Sequence, residues 1–205
     1  MTGLFITLEG GDGSGKSTQS ALLTRWLEST GATVVHSREP GGTELGIELR
    51  EIILHRRGYI APRAEALLYA ADRAHNIATR VRPAVERGDI VIQDRYLDSS
   101  VAYQGAGRVL DPTEVRDLSV WATEGLLPDL TVLLDLDVAT GRARLDADAK
   151  VFDRLEAEAA EFHTRVRDGY LALAAAEPDR FLVVDATLPV DEIHALIVAR
   201  VTTLR

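Results

Sequence analysis

The chain of 205 residues contains no cysteine. That excludes a disulfide scaffold, a cysteine-based zinc site and a thiol nucleophile. Its five histidines, at 36, 55, 75, 163 and 194, show no metal-ligand spacing. No apolar stretch comes near the roughly 20 residues needed to span a bilayer. Met1 to Gly10 lacks a basic flank and meets Glu9 after a short apolar run, so it does not read as a signal peptide, and a cytoplasmic location is expected. Positive charge is scarce: 23 Lys plus Arg against 32 Asp plus Glu give a formal charge of −9. Sequence-independent binding of duplex DNA rests on neutralising phosphates, so neither nucleic acid nor a membrane is expected as a partner. No repeat, low-complexity linker or composition break marks a second domain.

With 46% hydrophobic and 27% charged residues, the chain can bury a core without staples. Five apolar runs, Leu4 to Leu8, Thr33 to His36, Ile90 to Gln93, Leu130 to Leu134 and Phe181 to Val184, lack polar alternation. Parallel strands covered on both faces read this way. Helical spacing occupies Ser17 to Thr30, Leu45 to Leu54, Ala64 to Arg87, Pro112 to Glu124, Glu156 to Ala176 and Val190 to Leu204. Pro83 predicts a break in the third of these, and Asp111 before Pro112 predicts an N-cap. Strands alternating with helices predict βαβ units in an open, mostly parallel sheet with helices on both faces.

After the first strand comes Gly10-Gly11-Asp12-Gly13-Ser14-Gly15-Lys16-Ser17-Thr18, the full G-x-x-x-x-G-K-[ST] pattern. Glycines let successive backbone N–H groups turn inward around a phosphate, and the following helix aims its positive end at the same point. Lys16 then reaches the β- and γ-phosphates of a nucleoside triphosphate, and the Ser17 hydroxyl ligates Mg2+. No guanine-reading N-K-x-D segment follows, which excludes a GTPase, and the short chain points to a small-molecule kinase needing an acceptor pocket and a lid. At the carboxyl end of the third strand, Asp94 is placed to hold Mg2+ through water or to orient an arginine. Arg95 can fork onto an acceptor phosphate. Ser37 to Thr43 follows the second strand at the same sheet edge, where α/β ligands bind.

Several separate motifs, in this order, resemble the bacterial thymidylate kinases over almost the whole chain. They are Glu9 to Thr18, Arg38-Glu39-Pro40-Gly41-Gly42-Thr43 and Leu67 to Arg73; then Asp94-Arg95-Tyr96 with Ser99 to Gly105, Pro128-Asp129-Leu130, Asp153-Arg154-Leu155-Glu156 and Asp185-Ala186-Thr187. The resemblance implies an α/β chain with a three-layer P-loop NTPase fold, a five-stranded parallel sheet flanked by helices on both faces. It implies a single domain over 1–205 with a lid at about 141–156. The implied reaction is ATP plus dTMP giving ADP plus dTDP with Mg2+, by a homodimer packed through long helices such as Ala64 to Arg80. Asp12 would sit near the deoxyribose 3′-hydroxyl and Tyr69 would stack on thymine. Arg73, one turn on, would bond a thymine carbonyl, and Arg95 would hold the acceptor phosphate with Arg38 and Arg50 nearby. Ser99, Ser100, Tyr103 and Gln104 would complete the nucleoside pocket, and the loop carrying Asp185 and Thr187 would lie against adenine.

One part of the family pattern is missing. Kinases resembling this one carry a further cation in the phosphate loop or in the lid. The loop position here is Gly13, and the lid places Asp146 and Asp148 where arginines are expected. Lys150 is the nearest replacement, Arg154 the next, with Arg142 and Arg144 as further candidates. The two aspartates could instead hold a metal ion or belong to a solvated loop. The rival activities are another P-loop nucleoside or nucleotide kinase and an ATP-binding regulator that transfers nothing.

Overall fold

The computed structural model describes residues 3–56, 58–147 and 152–205. Strands β1 (Leu4–Glu9), β2 (Val34–Arg38), β3 (Ile90–Asp94), β4 (Leu130–Asp135) and β5 (Phe181–Asp185) form one sheet in the order β2-β3-β1-β4-β5. Every pairing is parallel. Helices α1 (Lys16–Ser29) and α9 (Val190–Thr202) cover one face. There Leu23, Leu27, Ile193, Ile197 and Val201 pack on Ile6, Leu8, Ile92 and Val132. Helices α3 (Pro62–Asn76), α4 (Arg82–Glu86) and α8 (Ala160–Ala176) cover the other. Its core joins Phe5 and Val91 to Ile77 and Val81, and Leu133 to Phe162, Val166 and Tyr170. Burying each of these side chains contributes about 1.5–3 kcal/mol.

Helix α2 (Glu44–Arg50) starts at Thr43, whose side chain accepts from the Gly46 N–H, and widens into a π-helical turn at Glu51–His55. The long helix expected over 64–87 is instead α3, a π-helical turn at Ile77–Val81, and α4. Pro83 has no N–H to offer the Thr79 carbonyl, so the regular ladder opens just before it. Two helical stretches were absent from the sequence reading. Helix α5 (Leu97–Ser100) runs into a π-helical segment, Val101–Gly107, and α7 (Val138–Ala147) follows β4. Helix α6 (Pro112–Ala122) begins at Asp111, which accepts from the Thr113 N–H as an N-cap should. Glu156 lies in a turn; α8 begins only at Ala160.

Each strand runs one or two residues beyond its apolar run and ends on a charged residue: Glu9, Arg38, Asp94, Asp135 and Asp185. These ends share one edge of the sheet, and the connections leaving them build the site.

Candidate active site

A cleft of about 790 Å³ opens at that edge, and both the phosphate loop and the Arg95 segment line it. The loop joins β1 to α1 with Gly10, Gly13 and Gly15 at positive φ, conformations that cost a side-chain-bearing residue energy. Gly10 and Gly11 turn their carbonyls onto the Lys16 ammonium, at 3.1 and 2.8 Å, while residues 12–18 face the cleft. Burial, seconded by the positive charge of Arg95, holds the Lys16 ammonium below the usual lysine value. Ser17 and Thr18 stand exposed on the first turn of α1. Across from them one carboxylate oxygen of Asp94 is buried without a hydrogen-bond partner, in the same cleft. A hydroxyl and a free carboxylate oxygen form a hard-oxygen donor set that fits Mg2+.

Arg95 holds the acceptor side together. It is a non-glycine residue at φ 65°, a backbone state that costs on the order of 1 kcal/mol or more. Its guanidinium donates to Asp12 Oδ1 at 2.6 Å and Tyr103 Oη at 3.1 Å, and lies 4.9 Å from the Tyr103 ring centroid. Burial opposes ionisation of Asp12, yet Arg95 and Lys16 prevail and hold its carboxyl below the usual aspartate value. The loop and Arg95 are thus one ion-paired unit.

Behind Arg95 lies Glu9, fully buried, which accepts from the Tyr96 N–H at 2.7 Å, Ser99 Oγ at 2.6 Å and Tyr170 Oη at 2.9 Å. Burial and the Asp98 charge push its carboxyl up to about 7 against the pull of those donors. A second buried network surrounds Glu39, which takes Arg73 Nε at 2.8 Å on one oxygen and Asn76 and Gln93 on the other. Burial raises its carboxyl to about 7 despite Arg73.

The cleft also gathers Arg38, Arg50, Tyr69, Arg73, Ser99, Ser100, Tyr103 and Gln104. Arg73 is only 1% exposed and already donates to Glu39, Ser119 Oγ, the Tyr96 carbonyl and Ser100 Oγ. It is a buried hub more than an open hand. Arg50 donates to the Pro40 carbonyl at 2.9 Å, and Gln104 to the buried Glu65 at 2.9 Å. Tyr69 packs among Leu54, Leu49 and Tyr103.

Elsewhere on the cleft several expected side chains turn to partners of their own. Asp185 is exposed and turned onto its own loop, accepting from the Thr187 N–H and hydroxyl at 2.8 and 2.6 Å. Neither residue lines the cleft; Ala186, Leu188, Val190 and Ile193 do. Arg154 is also directed elsewhere, with Nη2 2.6 Å from Glu65 and Nε on the Ile53 carbonyl. Lys150 and Asp148 lie outside the described residues. Asp146 pairs with Arg142 at 3.5 Å along α7, and among the described residues no cluster of three or more acidic or histidine side chains is placed to hold a metal ion. Among the described lid residues Arg144 does reach the loop, donating to the Gly13 carbonyl at 3.2 Å and the Ala186 carbonyl at 3.0 Å.

Comparison with known proteins agrees with this geometry. A family model described as thymidylate kinase matches residues 8–197. A thymidylate kinase of Leifsonia xyli subsp. xyli is 74% identical over 198 residues, 97% of this chain and 94% of that protein. One from Clavibacter michiganensis subsp. michiganensis is 71% identical over 204 residues, covering 100% of this chain and 97% of its own length. Among solved structures, thymidylate kinase from Ehrlichia chaffeensis superposes with a TM-score of 0.80 at 31% identity, covering 98% of this chain and 99% of that one. With a phosphate loop and Arg95 facing one cleft, and with kinship over its whole length, the chain belongs to the thymidylate kinase family.

Proposed function

We propose that this kinase seats ATP on the phosphate loop and dTMP against Arg95, and passes the γ-phosphoryl group between them along the single cleft. The carrying observation is the Asp12–Arg95 ion pair, which joins the two ends at 2.6 Å. A phosphate oxygen of dTMP attacks the γ-phosphorus, the bond from that phosphorus to the β–γ bridging oxygen breaks, and ADP and dTDP result. Little covalent work falls to the protein; positioning and charge neutralisation are its contribution.

Lys16 and the backbone N–H groups of residues 13–18 carry the β- and γ-phosphates, with the neutral wall of Ala186, Leu188 and Val190 beside the base. Mg2+, held by Ser17 and Asp94, would screen the β- and γ-oxygens as charge shifts toward ADP. On the acceptor side Arg95 meets the dTMP phosphate, helped by Arg38 and Arg50. Asp12 and Tyr103 border the sugar, with Asp12 near the 3′-hydroxyl. Tyr69 offers a ring face to thymine, and Ser99, Ser100 and Gln104 line the rest of the nucleoside pocket. Arg73 has five N–H groups; its partners leave one for a thymine carbonyl. We assign the missing lid cation to Arg144, which already stands on the loop, and not to Arg154, which Glu65 holds.

The reading extends to assembly. Ala64, Leu67, Ala71 and Ala78 follow helical spacing along α3 and its π-helical continuation, and all are exposed, Leu67 to 57%. A second copy of the chain packed there buries an apolar stripe that is otherwise left to water. The proposal sets the reaction in the cytoplasm.

A coupled assay of ADP release tests the reading, with dTMP and thymidine compared as acceptors. ADP formation that depends on dTMP and falls by orders of magnitude with thymidine is expected, because thymidine leaves Arg95 without an anion. Turnover indifferent to dTMP overturns it.

A further inference from the structure

Two features of Arg95 need an explanation that the substrate alone does not give. The first is its backbone, left-handed at φ 65° in a residue that is not glycine. The second is the aim of a long, flexible side chain that loses rotamer freedom when it is fixed. On the backbone side every polar group around Arg95 is tied. Its N–H donates to the Leu8 carbonyl at 3.0 Å, its carbonyl accepts from Gln93 Nε2 at 3.1 Å, and the next N–H, of Tyr96, donates to Glu9 Oε1 at 2.7 Å. On the side-chain side, Nη2 goes to Asp12 and Tyr103, while Nη1 faces two hydroxyls, Ser99 Oγ at 3.4 Å and Tyr170 Oη at 3.3 Å.

A hydroxyl can serve a guanidinium only as an acceptor, so its own hydrogen must point somewhere else. Both hydrogens have other destinations. Ser99 Oγ and Tyr170 Oη reach Glu9 Oε2 at 2.6 and 2.9 Å and also meet each other at 2.7 Å, where either one donates. Ionised Glu9 anchors this pair of hydroxyls, so their hydrogens are taken up among the three groups and their lone pairs are left to Arg95. The same carboxylate, through its other oxygen, pins the peptide that follows the strained residue.

We propose that Glu9 is a positioning residue for dTMP binding: it acts through Ser99, Tyr170 and the Tyr96 peptide to hold Arg95 in its phosphate-binding pose, touching neither substrate. This rests on the reading of Arg95 as the acceptor-phosphate arginine. Nucleotide at the phosphate loop is served by Lys16 and backbone N–H groups; Glu9 reaches Lys16 only as a lesser charge, so the effect falls chiefly on the acceptor.

The experiment compares wild type, Glu9→Gln, Tyr170→Phe, the double variant and Arg95→Ala, in each case measuring kcat, KM for dTMP, KM for ATP and the melting temperature. A glutamine amide keeps the shape but offers an N–H where one carboxylate oxygen stood, so either the hydroxyls or the Tyr96 N–H lose their acceptor, and each loss loosens Arg95. Glu9→Gln is expected to raise the dTMP KM by about tenfold or more with the ATP KM within about twofold of wild type. Tyr170→Phe is expected to raise the dTMP KM less, and the double variant no further than Glu9→Gln alone, since both act along one chain of bonds. A dTMP KM within about twofold of wild type in Glu9→Gln, or effects of the two changes that multiply, overturns the proposal. Should Glu9→Gln fail to fold, Tyr170→Phe and Ser99→Ala decide it, and an unchanged dTMP KM in both sinks it. Arg95→Ala separates the two levels. An unchanged dTMP KM there defeats the acceptor reading itself, whereas a raised one beside a normal Glu9→Gln defeats only the role of Glu9.

Discussion

Which arginine neutralises the transferring phosphoryl group is decided at the scale of single residues, by who already holds whom. Arg154 is paired with Glu65, which is fully buried, and moving it would leave that carboxylate to Arg108 and Gln104 alone. Among the described residues Arg144 has only carbonyl partners, both on the rim of the cleft, and gives them up cheaply. Arg144→Ala should therefore lower kcat by about 10²-fold or more with little change in the dTMP KM, the loss expected when a charge acting in the transition state is removed. Arg154→Ala should lower the melting temperature, and a loss of kcat equal to that of Arg144→Ala would reverse the assignment. At this scale the phosphate loop was legible because its chemistry needs contiguous residues, Gly10 through Thr18. Glu9 and Glu39 were not. A carboxylate in a sequence reads as solvated surface, and the partners that bury it come from far away, as Tyr170 does for Glu9 at a separation of 161 residues. Asp185 and Thr187 stand two residues apart and satisfy each other, while Ala186 between them lines the cleft.

Helix α7 shows what an element can do that its residues cannot. It buries almost nothing of its own beyond Gly141, so it has no apolar stripe and left no periodic signal in the sequence. Its place is fixed instead by close approach to the phosphate loop. A Cβ on Gly141 would stand 2.8 Å from the Asp12 carbonyl oxygen, and one on Gly13, at φ 76°, would stand 2.7 Å from the Gly141 carbonyl oxygen. The two glycines let helix and loop touch backbone to backbone, and that contact carries Arg144 onto Gly13. The same contact accounts for a loop without an arginine at position 13, since a side chain there would meet the helix. Gly141→Val should push α7 off the loop. We expect kcat to fall by about tenfold or more while overpacking costs only about 1–3 kcal/mol of stability; stopped-flow or steady-state kinetics beside a urea titration check both, and full activity would show that α7 does not set the loop. The strands, by contrast, were legible almost to the residue, since burial on both faces forces unbroken apolar runs. Each apolar run stopped short of its strand's end because every strand ends on a charged residue, two of which, Arg38 and Asp94, line the cleft.

For the whole molecule the formal charge of −9 matters less than where the charges sit, because local fields and backbone dipoles govern anion binding. Lys16, Arg38, Arg50, Arg73, Arg95 and Arg144 all line one cleft. Assembly follows from the face that lies away from it. Leu67→Glu replaces an exposed side chain and so should fold normally, yet it places charge on the α3 stripe. Light scattering should then find the 22.3 kDa monomer for the variant and twice that mass for the wild type; a dimer in both would move the interface elsewhere. Stability against pH ties the buried networks to the molecule as a whole. Glu39 sits at about 7 in the folded chain against an ordinary 4.5, chiefly because burial penalises its charge. A carboxyl raised in this way is protonated more readily in the folded state, so its contribution is complete below about pH 4.5 and is lost as the pH climbs through about 7. Glu39→Gln mimics the protonated form at every pH and carries no such loss, while all other ionisable groups are common to both proteins and cancel in the comparison. Denaturant melts of the two proteins at pH 5, 6, 7 and 8 should show the wild type losing ground steadily, by a total on the order of 3 kcal/mol. A difference that stays flat across that range, or that grows in favour of the wild type, would mean that Arg73 keeps Glu39 ionised throughout, and that the buried pair, not the buried proton, holds β2 and α3 together beneath the acceptor pocket.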